Sequence, residues 1–250
     1  MKKIISLVLA LSLVFAVTAC GEPKDDPAVK SEGVMTYAEY VSAAIDAEVV
    51  IEAYVQAKQG WWEKEGVGGV ATVYTQDKDG AYFIYDMPIS KADYDKLTNG
   101  TKIKVTGTKT EWQGEVEIID AKYEILSGEY VAPATDVTAL LGKAEIAEKQ
   151  NMFVAFKGMT VMASIDADGN EVAYLYKWDG SGSEGDDLYF NVSINEEEYT
   201  FTVESYLCGA DTDVYKAVKN LKVGDKIDME GFLYWYNGIN PHITSVKTAE

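Results

Sequence analysis

An eleven-residue pattern occurs twice in this chain and decides how it can be divided. Residues Leu97 to Gly107 read L-T-N-G-T-K-I-K-V-T-G, and residues Leu221 to Gly231 read L-K-V-G-D-K-I-D-M-E-G, so L-x-x-G-x-K-I-x-(V/M)-x-G recurs 124 positions later. A repeat at that spacing indicates a duplicated domain. In each copy the Leu closes a helix-like segment and Gly100 or Gly224 supplies the left-handed conformation that stops it. A strand follows with Ile103 and Val105, or Ile227 and Met229, on one face. Aromatic hairpins come next, Trp112-Gln113-Gly114 in the first copy and Trp235-Tyr236-Asn237-Gly238 in the second, where Gln-Gly and Asn-Gly suit a tight turn between two strands.

The N-terminus speaks for location. Lys2 and Lys3 precede a 14-residue apolar run, Ile4 to Val17, too short to span a bilayer as a helix. Residues 1–19 therefore read as a signal peptide. Its end, Val17-Thr18-Ala19-Cys20, resembles the lipobox of bacterial lipoproteins, which implies that Cys20 is lipidated and becomes the new N-terminus on the membrane; the competing reading is ordinary secretion. Residues 20–33, with two prolines and several charges, read as a flexible tether. The mature chain of 231 residues then suits two domains of about 100 residues each.

Charge and cysteine usage narrow the partners. The chain carries 41 acidic and 22 basic residues, a formal charge of −19, and every basic residue is Lys. Arg supplies the planar fork used against phosphates and base edges, so an acidic chain without it lacks the usual equipment for nucleic acid. With Cys20 consumed by lipid, Cys208 has no intramolecular disulfide partner and reads as a small buried apolar residue.

Read in order, Thr36-Tyr37-Ala38-Glu39 is a capping box opening a short helix with Tyr37, Tyr40 and Val41 on its apolar face. Strands are predicted at Glu48 to Ala57, Val70 to Gln76 and Ala81 to Met87, a helix at Ser90 to Leu97, then the repeated strand four and a strand five from Glu115 to Leu126. The second half opens with a predicted helix from Asp136 to Gln150. Strands follow at Met152 to Ala163, Glu171 to Trp178, Leu188 to Ile194 and Tyr199 to Glu204, then a helix from Asp213 to Leu221, the repeated strand four, and a strand five holding Ile243 and Val246. Phe83 and Phe201, mid-strand among alternating apolar residues, are predicted core.

This β-β-β-α-β-β order, entered at strand four by the repeated motif, resembles the OB-fold in both halves. The resemblance implies a mainly β protein of two tandem five-stranded barrels with short helices, residues 34–130 and 131–250. The whole is similar to two-OB-domain surface lipoproteins of gut-type Gram-positive anaerobes, a group with no catalytic signature to carry over.

Catalytic chemistry has little to stand on, since His242 is the sole histidine and no nucleophile elbow, zinc helix or phosphate loop occurs. The chain is expected not to be an enzyme and to need no cofactor. Asp77-Lys78-Asp79-Gly80 and Asp166-Ala167-Asp168-Gly169-Asn170 are oxygen-rich, but their Gly directly follows the second Asp, as a hairpin turn requires and a calcium loop does not. No metal site is assigned.

Aromatics carry more information. All five Trp fall in two kinds of loop: Trp61, Trp62 and Trp178 after strand one, Trp112 and Trp235 with Tyr236 at the hairpin joining strands four and five. In the OB-fold these loops flank the binding face. The six residues are therefore the candidate ligand contacts, expected at the rims of two equivalent clefts, against the alternative that they cap barrel ends or pack the domains together. The expected partners are the bacterial membrane, through the lipid, and a glycan, peptide or protein ligand. A nucleic-acid-binding OB protein and a scaffold without small ligand are the alternatives.

Overall fold

A computed structural model describes residues 26–249; the signal segment, Cys20 and the start of the tether lie outside the described residues. The first domain comprises α1 (Tyr37–Ser42), β1 (Glu48–Lys58), β2 (Trp62–Lys64), β3 (Gly68–Gln76), β4 (Ala81–Pro88), α2 (Lys91–Lys96), β5 (Thr101–Trp112) and β6 (Glu115–Glu129). Its strands run β1-β5-β6-β4-β3, and β3 returns to β1 to close a five-stranded barrel. All pairs are antiparallel except β4 with β6. That order, with its single parallel pair, is the OB-fold. Short β2 is a flap on the edge of β3.

The second domain repeats the design with β7 (Thr135–Asp136), β8 (Phe153–Val161), β9 (Ser164–Ile165), β10 (Glu171–Val172), β11 (Leu175–Tyr176), β12 (Leu188–Ile194), β13 (Glu197–Val203), α3 (Asp213–Lys219), β14 (Lys226–Phe232) and β15 (His242–Thr248). Here β8, β12, β13, β15 and β14 close the ring, and β13 with β15 is the parallel pair. Two predicted elements differ. The helix expected from Asp136 to Gln150 is instead two 3-10 turns, Thr138–Leu140 and Ala144–Lys149, because Gly142 between them sits at φ +75° and breaks the run. The strand expected from Glu171 to Trp178 is only the two-residue pieces β10 and β11, which pair with different partners.

The repeated motif has a mechanical reason. Gly100 and Gly224 take φ of +89° and +92°, stopping the preceding helical segment. Gly107 and Gly231 lie where the fourth strand bulges against the fifth, between Thr106 and Thr108 and between Glu230 and Gly231. Each barrel has its own core: Val49, Ile51, Ile84, Ile103 and Val105 in the first, Phe156, Phe190, Phe201, Met229 and Tyr215 in the second. Helix α1 carries the expected capping box between Thr36 and Glu39 and sinks Tyr40 into the first core, edge-on to Tyr82 at 4.8 Å. Val41, expected on the same apolar face, is exposed. Cys208 is buried, and burial pushes its thiol up to about 11.

A third cluster lies between the barrels: Tyr74 and Phe83 from the first meet Phe232 from the second, with Phe153 and Tyr234 packed around them. Phe83 therefore serves the docking surface and not a barrel core, since alternation along β4 sends Tyr82 and Ile84 inward and Phe83 outward. Polar contacts reinforce the junction. Phe153 N donates to Gln76 Oε1 at 2.7 Å, Asn151 Nδ2 to Val116 O at 3.0 Å, and Asn237 N to Gln113 O at 2.7 Å.

The described end of the tether is not free. Pro27 is buried, and Lys30 bonds the carboxylate of fully buried Asp77 and the Glu52 carbonyl. Residues 26–33, expected to be flexible, are thus held against the first barrel by a buried ion pair that the tether's charged composition hid.

Candidate ligand-binding cleft

Five of the six predicted contact residues meet in one cavity of ≈1070 Å³ at the domain junction. The two equivalent clefts expected, one per domain, are replaced by this shared one, because the barrels dock with their aromatic loops facing each other. The first barrel contributes Trp61, Trp62 and Trp112; the second contributes Trp178 and Tyr236. Trp112 and Tyr236, at matching hairpin positions of the two repeats, stand 5.3 Å apart across the junction.

The rings differ in freedom. Trp62, Trp112, Tyr236 and Trp178 are 47%, 51%, 48% and 74% exposed, so each presents ring surface to solvent. Trp61 is anchored: its Nε1 donates to Ile89 O at 3.0 Å, and its ring lies so close over Gly69 that a Cβ there would be 2.3 Å away. Trp235 is not in the cleft. It packs against the second core and beside Gly114, and its backbone N donates to Glu115 Oε2 at 2.9 Å. Of the six residues, it is the one that realises the packing alternative.

Sequence reasoning missed the cleft's remaining wall and floor. Tyr85 and Asp86 come from the outer face of β4, Tyr189 from β12, and Glu204 and Tyr206 from the end of β13, with Tyr234, Asn240 and His242 beneath. Tyr85 was legible through strand alternation; Tyr206, 76% exposed, carried no such signal.

Electrostatically the cleft is acidic to neutral. No Lys lines it. Lys64, outside the lining, pairs with Asp86 at 2.8 Å. Glu204 is buried; its Oε2 accepts from Gln59 Nε2 at 3.1 Å across the junction and its Oε1 from Tyr206 N at 3.0 Å. Burial pushes its carboxyl up to about 7. His242 is held neutral, burial lowering its pKa to about 3. Its ring stacks on Tyr234 at 4.2 Å, and its Nδ1 lies 2.7 Å from the Tyr74 hydroxyl, a hydrogen bond between domains.

The acidic turns are self-satisfied. Asp166 accepts from Asp168 N and Asn170 N, and Asp77 from Asp79 N and Gly80 N. Among the described residues no group of three or more His, Cys, Asp or Glu is placed to hold a metal ion.

Fold and site together define a tandem OB-fold protein with an aromatic cleft at its domain junction. No family model matches the chain, and no curated protein matches it. Among solved structures, it is similar to the Ifi202 HINa domain in complex with 20-bp double-stranded DNA, at 12% identity and TM-score 0.34, covering 82% of this chain and 100% of that one. It is also similar to the p202 HIN1 domain with 12-mer double-stranded DNA, at 12% identity and TM-score 0.34, covering 80% and 92%. A Replication Protein A heterotrimer bound to single-stranded DNA is similar at 13% identity and TM-score 0.31, covering 86% of this chain and 52% of that one.

Proposed function

We propose that this chain is a membrane-anchored extracytoplasmic binding lipoprotein that holds a glycan, peptide or protein segment by stacking in the interdomain cleft. The observation that carries this reading is the convergence of exposed rings from both barrels, Trp62 and Trp112 facing Trp178 and Tyr236, on one cavity of ligand size. The anchor rests on sequence alone: the charged start, the short apolar run and Val17-Thr18-Ala19-Cys20. Cys20→Ser is expected to move the protein from the membrane fraction to the soluble one. Equal membrane fractions for both forms would remove the anchor from the proposal.

A strand of nucleic acid is the second reading, favoured by the DNA named for the similar solved structures and by the fact that every base has a face to stack. Against it stands the absence of any lysine from the lining, since phosphate contacts supply most non-specific affinity. The experiment is a titration followed by Trp emission, with neutral oligosaccharides, peptides and a single-stranded oligonucleotide at about 150 mM salt. Sub-micromolar oligonucleotide binding would reverse the preference, non-specific binders being usually weaker than that. No emission change with any of them would leave a scaffold.

A further inference from the structure

Resting on the cleft being a ligand site, we infer that it takes an organic cation, an ammonium group carried on a small neutral body, with Glu204 as counter-charge and the surrounding Tyr and Trp faces as its cage. Aromatic faces are negative at their centres and attract ammonium groups, most strongly where water is excluded. The cavity lining that includes Glu204 also includes Tyr189, Tyr206 and Tyr234, with Trp178 exposed at its rim.

The carboxylate is what separates a cation from other ligands. Glu204 is 8% exposed, and among the described residues no Lys pairs with it. Buried carboxylates are ordinarily paired or pushed toward neutrality. Its two oxygens each accept one hydrogen bond, from Gln59 and Tyr206, which leaves lone pairs for a ligand. The other candidate charges are already engaged: Asp86 holds Lys64, whose amine stands 5.8 Å from the Tyr85 ring centre, and His242 is neutral and bonded to Tyr74. The Tyr85 end of the cleft thus has the protein's own cation, and the Glu204 end has none. Since burial first, and then the neighbouring Asp187 carboxylate, hold the Glu204 carboxyl up, an arriving cation would draw its proton off, and binding would release protons to solvent.

The test compares choline with its neutral isostere, 3,3-dimethylbutan-1-ol, on the full soluble chain, by Trp emission and by calorimetry in buffers of different ionisation enthalpy. The inference expects choline to bind at least tenfold more tightly than the isostere, with proton release near pH 7. Glu204→Gln, which keeps an acceptor for Tyr206 N and can regain the Gln59 contact by a flip of the Gln59 amide, should abolish that preference. Trp178→Leu, at the exposed rim, provides a second variant should Glu204→Gln unfold, and should weaken choline more than the isostere. Equal binding of choline and isostere would overturn the inference. Oligosaccharide or peptide binding without choline binding would overturn it too, while leaving the cleft as a stacking site. Silence from every probe would sink both the inference and the cleft itself.

Discussion

At Gly231 a methyl group would stand 2.3 Å from the His242 carbonyl oxygen and 2.7 Å from the Ile243 Cα; at Gly107 it would meet Ile118 Cγ2 at 2.6 Å and the Ile119 oxygen at 2.7 Å. Strand backbone cannot yield at those positions without opening the barrel, so Gly107→Ala and Gly231→Ala should each cost about 1–3 kcal/mol. Gly60→Ala is the control, with open space around it and no left-handed φ; urea unfolding midpoints should move for the first two and stay put for the third. The tryptophans divide in the same way. Trp112→Ala, at an exposed rim, should weaken a stacked ligand by about 1–3 kcal/mol and change stability little. Trp235→Ala should instead lower stability by roughly 2–4 kcal/mol, because its ring packs on the second core and its chain segment meets Glu115. Thermal unfolding of both variants beside ligand titration separates the two roles.

Among the elements, those written by local chemistry were legible in the sequence. The α1 capping box, the Asp-Gly turn after β3 and the paired fourth strands follow from residues a few positions apart, and β12 begins and ends at Leu188 and Ile194 as periodicity indicates. What could not be read depends on partners distant in the chain. The inter-barrel face of β4, the docking of residues 26–33 and the single shared cleft are all set by contacts that no local pattern announces. Lys30 illustrates this: as sequence it is one more charge in a polar stretch, yet it meets a carboxylate that also accepts from Tyr82. Removing one partner of a buried pair strands the other, so Lys30→Met should destabilise the first domain by about 3–5 kcal/mol. A loss of less than about 1 kcal/mol in chemical unfolding would mean that the segment is only laid on the surface.

For the whole molecule, the junction between barrels gathers buried titratable groups. Burial pushes the carboxyls of Glu115, Glu117 and Glu204 up, to about 8, 7 and 7. The folded chain keeps these protons where the unfolded chain, titrating near 4.5, has released them. Their stabilising contribution is complete below about pH 4.5 and is lost as pH rises through 7 to 8. His242 runs the other way: its folded pKa of about 3 lies below the ordinary 6.5, so its contribution is present above 6.5 and lost as pH falls toward 3. Above pH 6.5 only the glutamates still titrate among these four, so the melting temperature should drop between pH 6.5 and 8.5, and Glu115→Gln should flatten the drop. Away from the matched hairpins, the junction also joins unlike faces of two like domains, β3 and β4 of the first barrel against β8 and β14 of the second, a head-to-tail contact that, repeated, would grow an open filament. Growth would require the first barrel to carry the docking side chains of the second, yet at the positions matching Phe232, Tyr234 and Trp235 it has Thr108, Thr110 and Glu111. At the position matching Leu233 it has Lys109, whose amine is committed to the carbonyls of Tyr40, Val41 and Ala43 at the end of α1. Polymerisation is thereby forbidden at one end by polar residues at these four positions, and the array stops at two.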